Sequence, residues 1–342
     1  MEHSESKFYP NTEELKEPEK KENVFEVMKI PEIVIREEKG AQLFSLLLKA
    51  ENPGWGETET PLAKETADYF RDNPLSQEIL KTIRDFHEQG VDEETLYNLA
   101  LTYQRPERIE KVFELAAKYK PHVKNPHEVY KKFMAILESF DQTFSVSPLA
   151  AKFNTEIRRD KDERSKRLEE TRKRIKGLID FFKPYSKTTN VQRLNFVPTD
   201  PLYRVNSGRN FSAFPGEQII ISHIDNVDNQ AHEFCHGIIN PIVEKLSRQL
   251  TYGQKEKISQ LASEKLKQDY GAGFYSLLCE ELIRTYNNIF KKGEEPQGIK
   301  KNQLRGLVFE LYQEYSNRKD KESENFERFI LAKFSDKVEK RK

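Results

Sequence analysis

The stretch from Val191 to His223 constrains the fold more than any other part of the chain. Within it, Val191 to Val197, Leu202 to Val205, Phe211 to Phe214 and Glu217 to His223 are short β-rich runs broken by Pro201, Gly208 and Pro215-Gly216. Runs this short predict a small sheet, with helix on either side of it. Upstream, from Pro31 to about Tyr185, the pairs Thr60-Pro61, Asn73-Pro74, Asn125-Pro126 and Ser147-Pro148 read as helix starts. Proline is tolerated at the first helical position, and the polar residue before it can cap the free amides. Asn52-Pro53-Gly54 and Gly90 supply matching stops. The expected fold is α+β and mainly α: a helical amino-terminal region, a small twisted sheet, one helix following it, and a helical carboxy-terminal lobe.

At 342 residues the chain exceeds the usual single domain of roughly 100–200 residues. Residues 1–23, dominated by Glu, Lys, Ser, Asn and Pro, read as a flexible tail. Residues 24–145 read as the helical amino-terminal region and 146–342 as a second domain. Lys+Arg and Asp+Glu both number 57, which leaves no net field to attract nucleic acid or an anionic membrane. In the charged stretch Arg158 to Lys176, Asp160/Arg164, Glu163/Arg167, Glu169/Lys173 and Glu170/Arg174 fall at i,i+4 and neutralise one another, as on a solvated helix face. Neither a secretory apolar core nor a bilayer-length apolar run is present, so a cytoplasmic protein is expected. Cys235 and Cys279 read as buried free thiols, since a bridge between them would need an oxidising compartment.

The run after the β-rich stretch carries the chemistry. Residues 232–236 read His-Glu-Phe-Cys-His. This pattern sets two imidazoles one helical turn apart on one face, close enough to share a tetrahedral zinc, with the glutamate one step round to reach a metal-bound water. Asp225 or Asp228 can cap the helix, and the uncharged Phe234, Cys235, Gly237 and Ile238 suit burial beneath a cleft. Pro241 should end or kink it just past the second histidine. The run Gln218 to His223, immediately before it, is expected to be an edge strand able to pair with an extended peptide. The plainer reading makes the histidines a polar spot on a helical protein and Glu233 a surface carboxylate.

Catalytic zinc generally takes three protein ligands and leaves a fourth position to water. A metzincin would need His and Gly where Ile242 and Ile239 stand, and an aspzincin would need Asp where Lys267 precedes Tyr270-Gly271. A later helix from Phe274 to Tyr286 offers Glu280 and Glu281. Glu280 shares its face with Gly273, Ser276, Arg284 and Asn287 and is favoured over Glu281, which borders the apolar stripe. Arg284, one turn on, can hold the Glu280 carboxylate or bind an oxyanion, or be an ordinary surface ion pair.

His232-Glu233-Phe234-Cys235-His236, Asn240-Pro241 and Glu280-Glu281-Leu282-Ile283-Arg284 together resemble the gluzincin branch of the zincin metallopeptidases, and more narrowly a group of bacterial zincin-like proteins. The resemblance runs from about Gln218 to Asn287. It implies His232, His236 and Glu280 as zinc ligands, Glu233 as general base, and a peptide or protein substrate. The oxyanion-supporting residue is left among Tyr203, His223, Tyr270 and Tyr275. Two rivals stand beside this expectation: an inactive zincin-like scaffold whose helical half binds partners, and a zinc amide hydrolase acting on non-peptide or formyl-peptide substrates.

Overall fold

The computed structural model describes residues 26–56, 58–119, 125–185, 191–198, 202, 208–211, 216–222, 227–287, 302–318 and 325–341. The expected tail, residues 1–23, lies outside the described residues. Four strands form one sheet in the order β1 (Glu32–Ile35), β2 (Arg193–Val197), β4 (Glu217–Ser222) and β3 (Gly208–Phe211). β1, β2 and β4 run parallel, and β3 is antiparallel to β4.

Two expectations change here. The amino-terminal region is not helical throughout, because β1 leaves it to lie along β2, with Glu32 opposite Arg193. The Gln218 strand is not an edge, because β2 flanks it on one side and β3 on the other. Its own composition gives the reason: Ile219, Ile220 and Ile221 are all fully buried, as a strand covered on both faces requires.

The sheet divides two hydrophobic cores. Val197, Ile219 and Ile221 face a cluster built from the amino-terminal helices, whereas Leu194, Phe196 and Ile220 face one built from the carboxy-terminal helices. The first cluster draws on α1 (Lys39–Glu51), α2 (Pro61–Asp72), α3 (Gln77–Glu88), α4 (Glu93–Ala100), α5 (Ile109–Tyr119) and α6 (Pro126–Phe144). α7 (Pro148–Phe182) serves both, giving Leu149, Phe153 and Ile157 to the first and Ile175, Leu178, Ile179 and Phe182 to the second.

Capping chemistry accounts for most of the helix starts. Thr60 and Ser147 accept the amides of Ala63 and Ala150, with proline at the first helical position. Asn125 precedes α6 in a left-handed conformation without a side-chain cap. Asn73-Pro74 does not open a helix: Asn73 closes α2, and α3 starts at Gln77 with Ser76 capping Ile79. A residue before proline is pushed out of the helical region, so the pair acts as a stop.

The charged face of α7 is not wholly solvated. Arg164 and Asp160 pair at 3.1 Å with both side chains buried, and Arg164 also donates to the carbonyl of Ser222 at the end of β4. One ion pair of the set therefore docks the helix on the sheet. Glu163 and Glu169 instead meet Lys166 and Arg172 at i,i+3 on the exposed side. Among the described residues no helix is long and apolar enough to cross a membrane.

Candidate metal centre

The motif lies on α8 (Val227–Gln249), a helix that buries Ala231, Phe234, Cys235, Ile238 and Ile239 in the carboxy-terminal core. Asp228 falls inside its first turn, where it meets Arg174 of α7 at 3.6 Å, so it is not the cap; Asp225 lies outside the described residues. Thr171 and Gln230 add a hydrogen bond of 3.2 Å between the same two helices. From the sheet side, the buried Gln218 of β4 donates its amide to the carbonyls of Glu233 and Phe234. That contact needs Gly237, since a Cβ there would come within 3.0 Å of the Gln218 carboxamide.

α8 does not end after the second histidine; it continues through Pro241 to Gln249. A proline inside a helix costs about 3 kcal/mol. Beyond it, Ile242, Val243 and Leu246 are buried to 2% exposure or less, each stabilising by about 1.5–3 kcal/mol. Burial outweighs the lost hydrogen bond, so tertiary packing carries the helix past its breaker.

Three further helices follow, α9 (Tyr252–Leu261), α10 (Glu264–Tyr270) and α11 (Phe274–Thr285); α11 packs along α8, and α9 and α10 pack on α11. α11 sets Glu280 against both histidines: its carboxylate lies 3.5 Å from Nε2 of His232 and 3.2 Å from Nε2 of His236. Ligand atoms each about 2.1 Å from one tetrahedral ion stand about 3.4 Å apart. The three residues supply one ligand atom each, all within 4.8 Å of one another, and this group could hold a metal ion. Oε2 of Glu280 is buried and meets Nε2 of His232 at 3.5 Å and Nε of Arg284 at 3.4 Å, both too loose for full hydrogen bonds, which leaves the oxygen able to accept a cation.

Glu281 has a different task. Fully buried, it accepts hydrogen bonds from Thr285, from Asn302 at 2.8 Å and from Arg305 at 2.7 Å. Asn302 and Arg305 belong to the start of α12 (Gln303–Asn317), which packs with α13 (Phe326–Lys340) behind α11. One carboxylate thus faces the histidines while its neighbour locks the helix that carries it.

Burial alone would raise the Glu280 carboxyl; the two imidazoles more than reverse this and hold it well below the usual carboxylate range. Burial likewise works against a charged His236, but Glu280, with the negative charge of Glu233 close by, lifts the imidazole above its ordinary value. Glu233 is itself buried, and its charge acts on this imidazole. Arg284 places Nε 3.4 Å from Glu280 and donates Nη2 to the hydroxyl of Tyr270 at 2.6 Å. Burial and the Glu280 charge push the Tyr270 hydroxyl upward, so it keeps its proton. Tyr275 donates to the backbone carbonyl of Asn240 at 3.3 Å, and Tyr203 and His223 lie outside the described residues.

Two contacts had no place in the motif reading. Asn240 sets its side-chain oxygen 3.2 Å from Nδ1 of His236, and its i+4 spacing was the available signal. Gln218 reaches the motif helix from a strand, which no local spacing announces. Cys235 and Cys279 are buried free thiols. No family model, curated protein or solved structure matches this chain.

Proposed function

We propose that this protein is a zinc-dependent peptidase of the gluzincin kind, with His232, His236 and Glu280 as ligands and Glu233 as general base. The observation that carries the proposal is the meeting of two imidazole nitrogens and one carboxylate oxygen, drawn from separate helices, within 4.8 Å. Zinc is the metal of choice for such a nitrogen and oxygen set with an open fourth position. Bound there, it supplies a Lewis acid that brings the pKa of water from about 15.7 toward 7 and polarises a substrate carbonyl.

The remaining chemistry belongs to the chain. Glu233, its backbone held by Gln218, takes a proton from the attacking water and returns it to the amine nitrogen as the C–N bond breaks. Tyr270 accepts a hydrogen bond from Arg284 and shares one with Glu280; its O–H turns from that carboxylate to donate to the carbonyl oxygen as that atom gains charge. Arg284 orients both Tyr270 and Glu280, so its role is positioning.

The test is elemental analysis of the purified protein together with digestion of an unfolded polypeptide such as casein. Zinc near one equivalent, and hydrolysis that disappears in Glu233→Gln, are the expected results. Metal without turnover on any unfolded polypeptide would replace this reading by the inactive scaffold. A Glu233→Gln variant as fast as wild type would remove the proposed base.

A further inference from the structure

We propose that Asn240 is a positioning residue for the metal centre: its side-chain oxygen selects the tautomer of His236 and so sets how tightly the cation is held. The inference rests on the reading of this site as a zinc centre.

A neutral imidazole carries one proton on one of its two nitrogens, and only the other can bind a metal. Oδ1 of Asn240 lies 3.2 Å from Nδ1 of His236. A carbonyl oxygen only accepts, so this contact requires the proton on Nδ1. The lone pair then resides on Nε2, the atom that stands 3.2 Å from Glu280. Without the acceptor the proton is free to move to Nε2, where it blocks coordination.

Asn240 is well held for the task. It sits one helical turn beyond His236, on the same face of α8. Its backbone carbonyl accepts a hydrogen bond from Tyr275 of α11, the helix that carries Glu280. One residue therefore touches a histidine through its side chain and the carboxylate-bearing helix through its backbone. Because the partner is a neutral amide, it orients the ring without adding charge. An aspartate in its place would keep the acceptor and make Nε2 a stronger donor to the metal.

The experiment measures zinc dissociation constants by competition with a chromogenic chelator for wild type, Asn240→Leu and Asn240→Asp, alongside thermal unfolding of the metal-free proteins. Asn240→Leu is expected to bind zinc about 10–100-fold more weakly with an unchanged metal-free melting temperature. Asn240→Asp is expected to bind at least as tightly as wild type. Long-range proton–nitrogen spectra of the zinc-loaded protein should show the His236 ring protonated at Nδ1. The proposal is overturned by Asn240→Leu binding within about threefold of wild type, by Asn240→Asp binding as weakly as Asn240→Leu, or by a ring protonated at Nε2. None of these readings depends on hydrolysis: a wild type that binds zinc but cleaves nothing removes the peptidase reading alone, whereas a wild type that binds no zinc overturns both.

Discussion

Glu233 and Tyr270 meet the reacting atoms in the proposed reaction, and each has its own expected signature. Glu233→Gln should retain zinc and lose about 10²–10⁴-fold in kcat, read by parallel metal analysis and peptide hydrolysis. Tyr270→Phe removes a single donor and should lower kcat by about 10²-fold or more while leaving metal content unchanged. His236→Ala should fail to retain the metal at all. Acid should release the metal, because ligand nitrogens must be deprotonated and Glu280 makes His236 a better proton acceptor than an ordinary imidazole. Zinc titrations at about pH 8 and about pH 6 should give clearly weaker binding at the lower pH, and equal affinity would contradict it. At this scale much was legible. His232, Glu233 and His236 follow from spacing on one helix. Glu280 was favoured over Glu281 because a helical wheel assigns faces, but the wheel cannot say what each face meets. The task of Glu281 depends on Asn302 and Arg305, more than twenty residues away and not marked by any pattern.

Two expectations about elements were reversed by packing. Of the end or kink expected just past the second histidine, the end is overturned: the motif helix runs on to Gln249 because the residues beyond Pro241 fill the core. Local propensity measures the cost of a breaker and not the burial that offsets it. The strand ahead of the helix was expected at an edge, yet lies inside the sheet. Its three consecutive isoleucines carried the signal of two-sided burial; what the order along the chain hides is that β1 and β2 are its parallel companions. At the joint between β4 and α8, Gly237→Ala brings a methyl group into the Gln218 carboxamide. It should destabilise the fold by about 1–2 kcal/mol, measured by urea denaturation. The loss should be smaller in a Gln218→Ala background, since contacting residues are not additive; equal losses in the two backgrounds would mean that the glycine is there for another reason.

Across the whole molecule, the amino-terminal helices are clamped to the sheet by charge as well as by apolar contact. Arg108 donates two hydrogen bonds to Glu217 at 2.9 and 3.0 Å, and buried Arg105 pairs with Glu38 beside it. The Arg108 bonds hold the Glu217 carboxyl below its ordinary value of 4.5 despite burial. A lowered carboxyl stabilises the fold fully above the unfolded value and loses that contribution as pH falls through the folded one. Glu217→Gln should therefore cost stability at neutral pH, and the difference from wild type should shrink once the medium is more acidic than pH 4.5. Chemical denaturation of both proteins at the two pH values checks this, and a difference independent of pH would mean that the clamp acts through shape and not charge. The amino-acid sequence by itself determined the mainly helical character, the helix starts at Pro61, Pro126 and Pro148 and the paired histidines with their glutamate. These depend on neighbours within a few residues, where backbone geometry and capping chemistry are local. Only the tertiary structure decided the sheet order, the continuation past Pro241, the separate tasks of Glu280 and Glu281, and the contacts from Asn240 and Gln218 to the motif. Each of these is settled by which surfaces are buried against each other, a competition among distant segments that no short stretch of the chain encodes.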